Sequence, residues 1–126
     1  MPSLPTALLS VMAGGGLGAA LRYLVARALP LSPGGWPTAT LLVNIVGGLA
    51  MGLLAGWLHG RDAEGVRLLL GVGVLGGFTT FSAFSLEMAR MVEDGAFAMA
   101  LGYALASVIA ALLAVFVGLA AARAMA

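Results

Sequence analysis

The sequence predicts an all-α integral membrane protein: four transmembrane helices per chain, the third broken mid-membrane, paired as an antiparallel dual-topology homodimer. Three observations carry this prediction. Of 126 residues, 62% are hydrophobic and 9% charged, with mean hydropathy +1.10, whereas a soluble domain averages about 45–50% apolar and about 25% charged. Four apolar runs each reach the roughly 20 residues that a hydrocarbon core about 30 Å thick requires. The segments between them are too short to form a soluble domain, so one four-helix domain, 1–126, takes the whole chain.

The first run, about 4–29, is interrupted by Arg22 and Arg27. It lacks a charged leading segment, and its apolar stretch exceeds the about 7–15 residues of a signal-peptide core, so it reads as a retained helix. "PLSPGGWP" (30–37) is a proline and glycine turn. The second run, about 38–58, carries no charge, and "HGRDAEG" (59–65) is a polar loop after it. The third, about 67–91, contains the break. The fourth, about 95–122, follows "EDG" (93–95).

Four spans put both termini and the 59–65 loop on one side, with Arg61, Arg67 and Arg123, and leave Arg22, Arg27 and Arg90 on the other. Lys/Arg bias in short loops sets orientation, and here it is nil. Such a chain inserts both ways, and two opposed copies form a dimer whose two-fold axis lies in the membrane plane.

Small residues and in-membrane polar groups mark the interior. Gly14 and Gly18, and then Gly48, Gly52 and Gly56, are spaced for close helix approach. Arg22 is costly inside a span and must snorkel, pair or line a wet vestibule. Thr40 and Asn44 share a face of the second helix with Gly47 and Gly48, and Tyr103 and Ser107 form a hydroxyl stripe on the fourth. Each stripe alone reads equally as interhelical bonding; together they are neutral donors suited to an anion. Glu87, three residues before Arg90, reads as one half of a helix-surface ion pair. That reading leaves a proton-driven pump without an intramembrane carboxylate.

Exclusions follow from composition. Without cysteine, and with one histidine, thiolate chemistry and histidine catalysis lack their residues. Without lysine or a basic tract, nucleic acid has no electrostatic footprint to bind. No enzymatic activity is expected.

In "GGFTTFSAFSLE" (76–87), Gly76-Gly77 and Thr79-Thr80 are poor helix formers in the middle of an apolar run. Irregular backbone at that depth is tolerated where it lines a cavity. Phe81 and Phe84 fall on neighbouring positions of the restarted helix, and a phenyl edge carries partial positive charge.

Together with "GGGLGAALRY" (14–23) and "TLLVNIVGG" (40–48), in that order, this motif resembles the Fluc family of fluoride channels, also called CrcB-type proteins. The resemblance covers the full length. It implies passive, potential-driven fluoride export across the bacterial inner membrane, protecting the cytoplasm from fluoride. It implies an antiparallel homodimer in the bilayer, with fluoride pores lined by Asn44, Phe81, Phe84, Tyr103 and Ser107, and with Thr40, Thr80 and Ser82 adding hydroxyls. It implies a structural Na+ held by the backbone carbonyls of Gly76 and Thr79, with Arg22 in a vestibule or packing role. Ala83 and Ala111 stand where the family commonly carries hydroxyls. Two other classes fit the size: a small antiparallel multidrug exporter, whose first-helix glutamate is missing here, and an assembly subunit of a membrane complex.

Overall fold

The computed structural model describes residues 1–126 and is entirely helical. Four spans are long and apolar enough to cross a membrane: Leu4–Ala28, Thr38–Leu58, Glu64–Glu93 and Phe97–Ala124. The first helix opens with a proline in its first turn, where a missing N–H costs nothing. The connections turn through glycines in the left-handed region, Gly34 (φ 70°), Gly60 (φ 73°) and Gly95 (φ 76°). At Gly95 the hydrogen bonds Ala96 N–H to Met91 O (2.8 Å) and Gly95 N–H to Val92 O (3.0 Å) close a Schellman motif that ends the third span and turns the chain into the fourth.

The third span is wound irregularly. After one α-turn at Glu64–Val66 it widens into a π-helix over Arg67–Leu75, then returns to α for Gly76–Phe78. Helical winding then lapses: Thr79 is extended (φ −84°, ψ 159°), and helix resumes as Ser82–Glu93.

Two backbone-to-backbone seams hold the bundle. The first helix packs on the first half of the third span. A Cβ on Gly14 would come within 2.9 Å of Val74 N, one on Gly18 within 2.8 Å of Phe78 N, and one on Gly77 within 3.1 Å of Ala19 N. The second helix packs on the fourth in the same way. A Cβ on Gly52 would lie 3.0 Å from Leu119 N, and one on Gly118 2.7 Å from Leu53 N. Small residues at such seams let dispersion and backbone contact replace the hydrophobic effect, which is absent between helices in lipid. Large apolar side chains such as Leu9, Leu105, Leu112 and Phe116 point outward. Only 16 of 126 residues are buried, which is an interior far too small for a protein solvated by water on all sides.

Candidate functional site: a polar seam through the bundle

The interruption in the third span is clamped from the second helix. Asn44 Nδ2–H donates to Thr80 O (2.9 Å), and Thr80 N–H donates to Asn44 Oδ1 (2.9 Å). One side-chain amide thus serves both polar groups of one peptide unit. Thr79 Oγ1 donates back to Leu75 O (2.9 Å), and Thr80 Oγ1 accepts from Ala83 N–H (3.2 Å), capping the restarted helix. Arg22 Nε–H donates to Gly77 O (3.1 Å), so this guanidinium pairs with a carbonyl next to the interruption. The carbonyls of Gly76 and Thr79 accept no hydrogen bond within the chain.

Beside this backbone lies an open cavity of about 480 Å³. It brings together Asn44, Gly76, Thr79, Thr80, Phe81, Phe84 and Ser107, with Gly47, Gly48, Met51, Val108, Ala111 and Val115 completing the wall. Gly47 leaves room for the Thr79 methyl. Phe81 is 76% exposed, while Phe84, one turn on, is buried. Their ring centroids are 5.6 Å apart, and Phe84 in turn lies 5.2 Å from Tyr103. Both pairs are tilted, so ring edges as well as faces are presented.

Behind Phe84 the polar groups continue. Ser107 Oγ is buried with no hydrogen-bond partner. Tyr103 is fully buried, and its hydroxyl donates to Glu87 Oε2 (2.7 Å). Thr40 Oγ1 donates to Glu87 Oε1 (2.6 Å). Trp36, from the 30–37 loop, lies tilted at 58° against Tyr103, with ring centroids 6.1 Å apart. Glu87 also lines a second cavity of about 380 Å³ with Arg90, Asp94 and the 31–37 segment. Asn44, Ser107, Tyr103, Thr40 and Glu87 therefore run as a polar seam from one cavity to the other.

The expected Glu87–Arg90 surface ion pair does not form. The chain's only salt bridge is Arg67–Glu64 (2.7 Å). Glu87 follows Phe84 by three residues, which puts it on the inward face, and two hydroxyls there donate to it. A carboxylate with two short donors is better satisfied than one facing an exposed guanidinium across water. The inward stripe of Phe84 and Glu87 was the signal for this residue, but the Glu–Arg spacing matched an ordinary surface pair equally well. Of the other expected site residues, Thr40 and Tyr103 lie in the seam but not in the open cavity. Ser82 is exposed, 3.4 Å from Thr80 Oγ1. Arg22 lines neither cavity and packs behind the interruption.

Chemically, the seam offers neutral donors and ring edges, with one carboxylate near its far end. An anion that reaches the Thr40 and Tyr103 hydroxyls competes with Glu87 for their protons. No cluster of histidine or acidic side chains that could hold a metal is present.

The family described as "CrcB-like protein, Camphor Resistance (CrcB)" matches residues 9–119. The chain is similar to the fluoride-specific ion channel FluC of Caulobacter sp. (strain K31), with 57% identity covering 94% of this chain and 95% of that protein. It is 54% identical to FluC of Phenylobacterium zucineum (strain HLK1), over 93% and 95% of the two chains. It is 46% identical to FluC 2 of Nocardia farcinica (strain IFM 10152), over 94% and 86%.

Proposed function

This chain belongs to the CrcB-like family, and on that premise we propose how it works as a fluoride-specific ion channel, a multi-pass membrane protein and not an enzyme. Fluoride crosses membranes as neutral HF, dissociates at cytoplasmic pH and is trapped as the anion. A passive pathway lets a negative-inside potential expel it, with about 2.3 kcal/mol per charge per 100 mV. In a bacterium the membrane concerned is the inner one.

The observation that carries the mechanism is the interruption of the third span beside a cavity of neutral donors and phenyl rings. Fluoride is small and strongly hydrated. A path for it must replace water with hydrogen-bond donors and weakly positive ring edges while staying too narrow for a hydrated larger halide. Asn44 uses one Nδ2 hydrogen on Thr80 and keeps the second for an ion in the cavity. Phe81 and Phe84 present ring edges on the same route. Ser107, whose hydroxyl has no partner, and then Tyr103 and Thr40, continue it toward Glu87. Arg22 braces the backbone from behind.

In this reading the working unit is an antiparallel homodimer, with each chain supplying half of the enclosure. The even arginine count supports insertion in both directions. The 76% exposure of Phe81 in a single chain supports a second copy closing over it. The carbonyls of Gly76 and Thr79, free of hydrogen bonds, fit a structural Na+ where two such interruptions meet. Carbonyl oxygens without carboxylates suit a monovalent ion better than Mg²⁺ or Ca²⁺. When bound, the ion supplies positive charge and satisfies buried oxygens. Carbonyls from both copies around one ion would also fasten the two chains.

The test is reconstitution of the purified chain alone in liposomes loaded with potassium fluoride. A fluoride electrode should record efflux that starts with valinomycin, and a chloride electrode should record none from liposomes loaded with potassium chloride. Efflux of both halides at similar rates, or of neither, would overturn the reading.

A further inference from the structure

The loop end of the bundle carries a second feature. A cavity of about 220 Å³ lies between the ends of the second and fourth helices. His59, Arg61 and Arg123 line it, and no acidic side chain does. Arg61 is fixed in place: it donates to Trp57 O and lies 4.9 Å over the Trp57 ring. Arg123 has no hydrogen bond, and neither arginine has an ion-pair partner. Of the five N–H donors on each guanidinium, one is used on Arg61 and none on Arg123.

Helix-end compensation accounts for part of this charge. Two helices end here, each with about half a negative elementary charge at its C-terminus. Ala126, the last residue, lines the cavity as well, so its carboxylate together with the helix ends offsets most of the arginine charge, and what is left over is unused guanidinium donors. The cavity at the opposite end of the bundle differs in kind, because there Arg90 shares the wall with Glu87 and Asp94.

A third observation identifies what fits. The cationic cavity shares Ala55 and His59 with a trough of about 510 Å³ that runs down the second helix. Met51, Leu54, Leu58, Gly71 and Val72 line the trough. Arg67, at its rim, is already paired with Glu64. Two guanidinium groups without ion-pair partners thus stand at the head of an apolar trough, next to a tryptophan at the end of a span.

We infer that this is a binding site for an anionic phospholipid, with the headgroup phosphate between Arg61 and Arg123 and an acyl chain in the trough. Basic pockets between transmembrane helices hold such headgroups. Two guanidinium groups without ion-pair partners favour a headgroup of net negative charge over a zwitterionic one, whose own cation they repel. The shared wall of cavity and trough selects an amphiphile over a free anion.

The full chain, purified in neutral detergent and offered equimolar phosphatidylglycerol and phosphatidylcholine, should retain the anionic lipid about tenfold over the other, as read by mass spectrometry. The surface double variant Arg61→Gln/Arg123→Gln should retain the two equally. The same preference in both proteins would overturn the site. Gly71→Leu places a side chain near Leu54 (3.4 Å from its Cδ2 to the added Cβ) and fills the trough. It should lower lipid retention at unchanged oligomer mass. A changed oligomer mass with retention intact would assign the trough to a second copy of the chain and end the lipid proposal. Inorganic phosphate alone, raising the melting temperature of lipid-free protein as much as phosphatidylglycerol does, would likewise replace the lipid with a free anion.

Discussion

Asn44→Asp exchanges an NH₂ group for an oxygen where the structure has a donor facing a carbonyl. In the native chain Asn44 donates to Thr80 O and accepts from Thr80 N–H, both at 2.9 Å. Aspartate keeps the second bond. The first becomes oxygen against oxygen, and Thr80 O loses its partner. Leaving the part-buried Thr80 carbonyl without its donor costs about 1–3 kcal/mol, which is what the clamped geometry loses. At about 1.4 kcal/mol per factor of ten, its population falls about five- to a hundredfold. The fixed negative charge also opposes an anion in the adjoining cavity. The assay is fluoride efflux from liposomes, paired with size-exclusion chromatography and thermal melting in detergent. The variant should assemble, melt at a lower temperature and lose most of its flux. Wild-type flux from correctly assembled Asn44→Asp protein would refute the assignment of Asn44 to the pathway. An unchanged melting temperature would refute the clamp.

Four further outcomes are expected. Phe81→Ile should reduce flux by tenfold or more with little loss of stability, because the ring is 76% exposed within the chain and contributes little packing there; stability and flux falling together would contradict this. Glu87→Ala should destabilise the protein by about 2–4 kcal/mol, stranding the Thr40 and Tyr103 hydroxyls, while Glu87→Gln, which keeps an acceptor, should cost less than half as much in thermal unfolding. A Cβ on Gly76 would meet nothing in its own chain closer than Gly71 O at 3.7 Å, so Gly76→Leu should leave the chain folded while its side chain enters the cavity beside the interruption and cuts flux severely; with Thr79→Ser mild, and with flux falling when sodium is replaced by a large organic cation, the carbonyl site stands, and full activity without sodium removes it. Reporters on either terminus should appear on both sides of the membrane in comparable amounts, and two lysines added to the 59–65 loop should bias insertion and lower activity.

The four spans were legible because hydrocarbon thickness imposes a run length that few other constraints imitate. The seams at Gly14, Gly18 and Gly52 were legible because only close backbone approach explains such spacing in an apolar helix. Of the weak helix formers at 76–80, Gly76 and Gly77 stay α-helical and winding lapses only from Thr79 to Phe81, so propensity located the interruption to within a turn. Three features were not legible. The π-winding over Arg67–Leu75 has no residue signature, because it depends on how the third span is fitted to the first. Arg22 reaches Gly77 O across 55 positions in sequence, a pairing that spacing within one helix cannot reveal. Glu87 carried two compatible readings at i+3 spacing, and only the approach of Thr40 and Tyr103 from other helices decides between them.

The glycine seams join the first helix to the third and the second to the fourth. Neither seam joins neighbours in sequence, so the bundle contains no self-sufficient helical hairpin. During synthesis the first two helices enter the bilayer with their glycine faces against lipid, and neither finds its mate until later segments arrive. The first docks once the third has been threaded through, and the second waits for nearly the last residue. Compaction is therefore deferred to the end of translation. A ribosome-stalled chain lacking the fourth helix should hold the second helix loose and protease-sensitive, and release of the full chain should protect it in a single step.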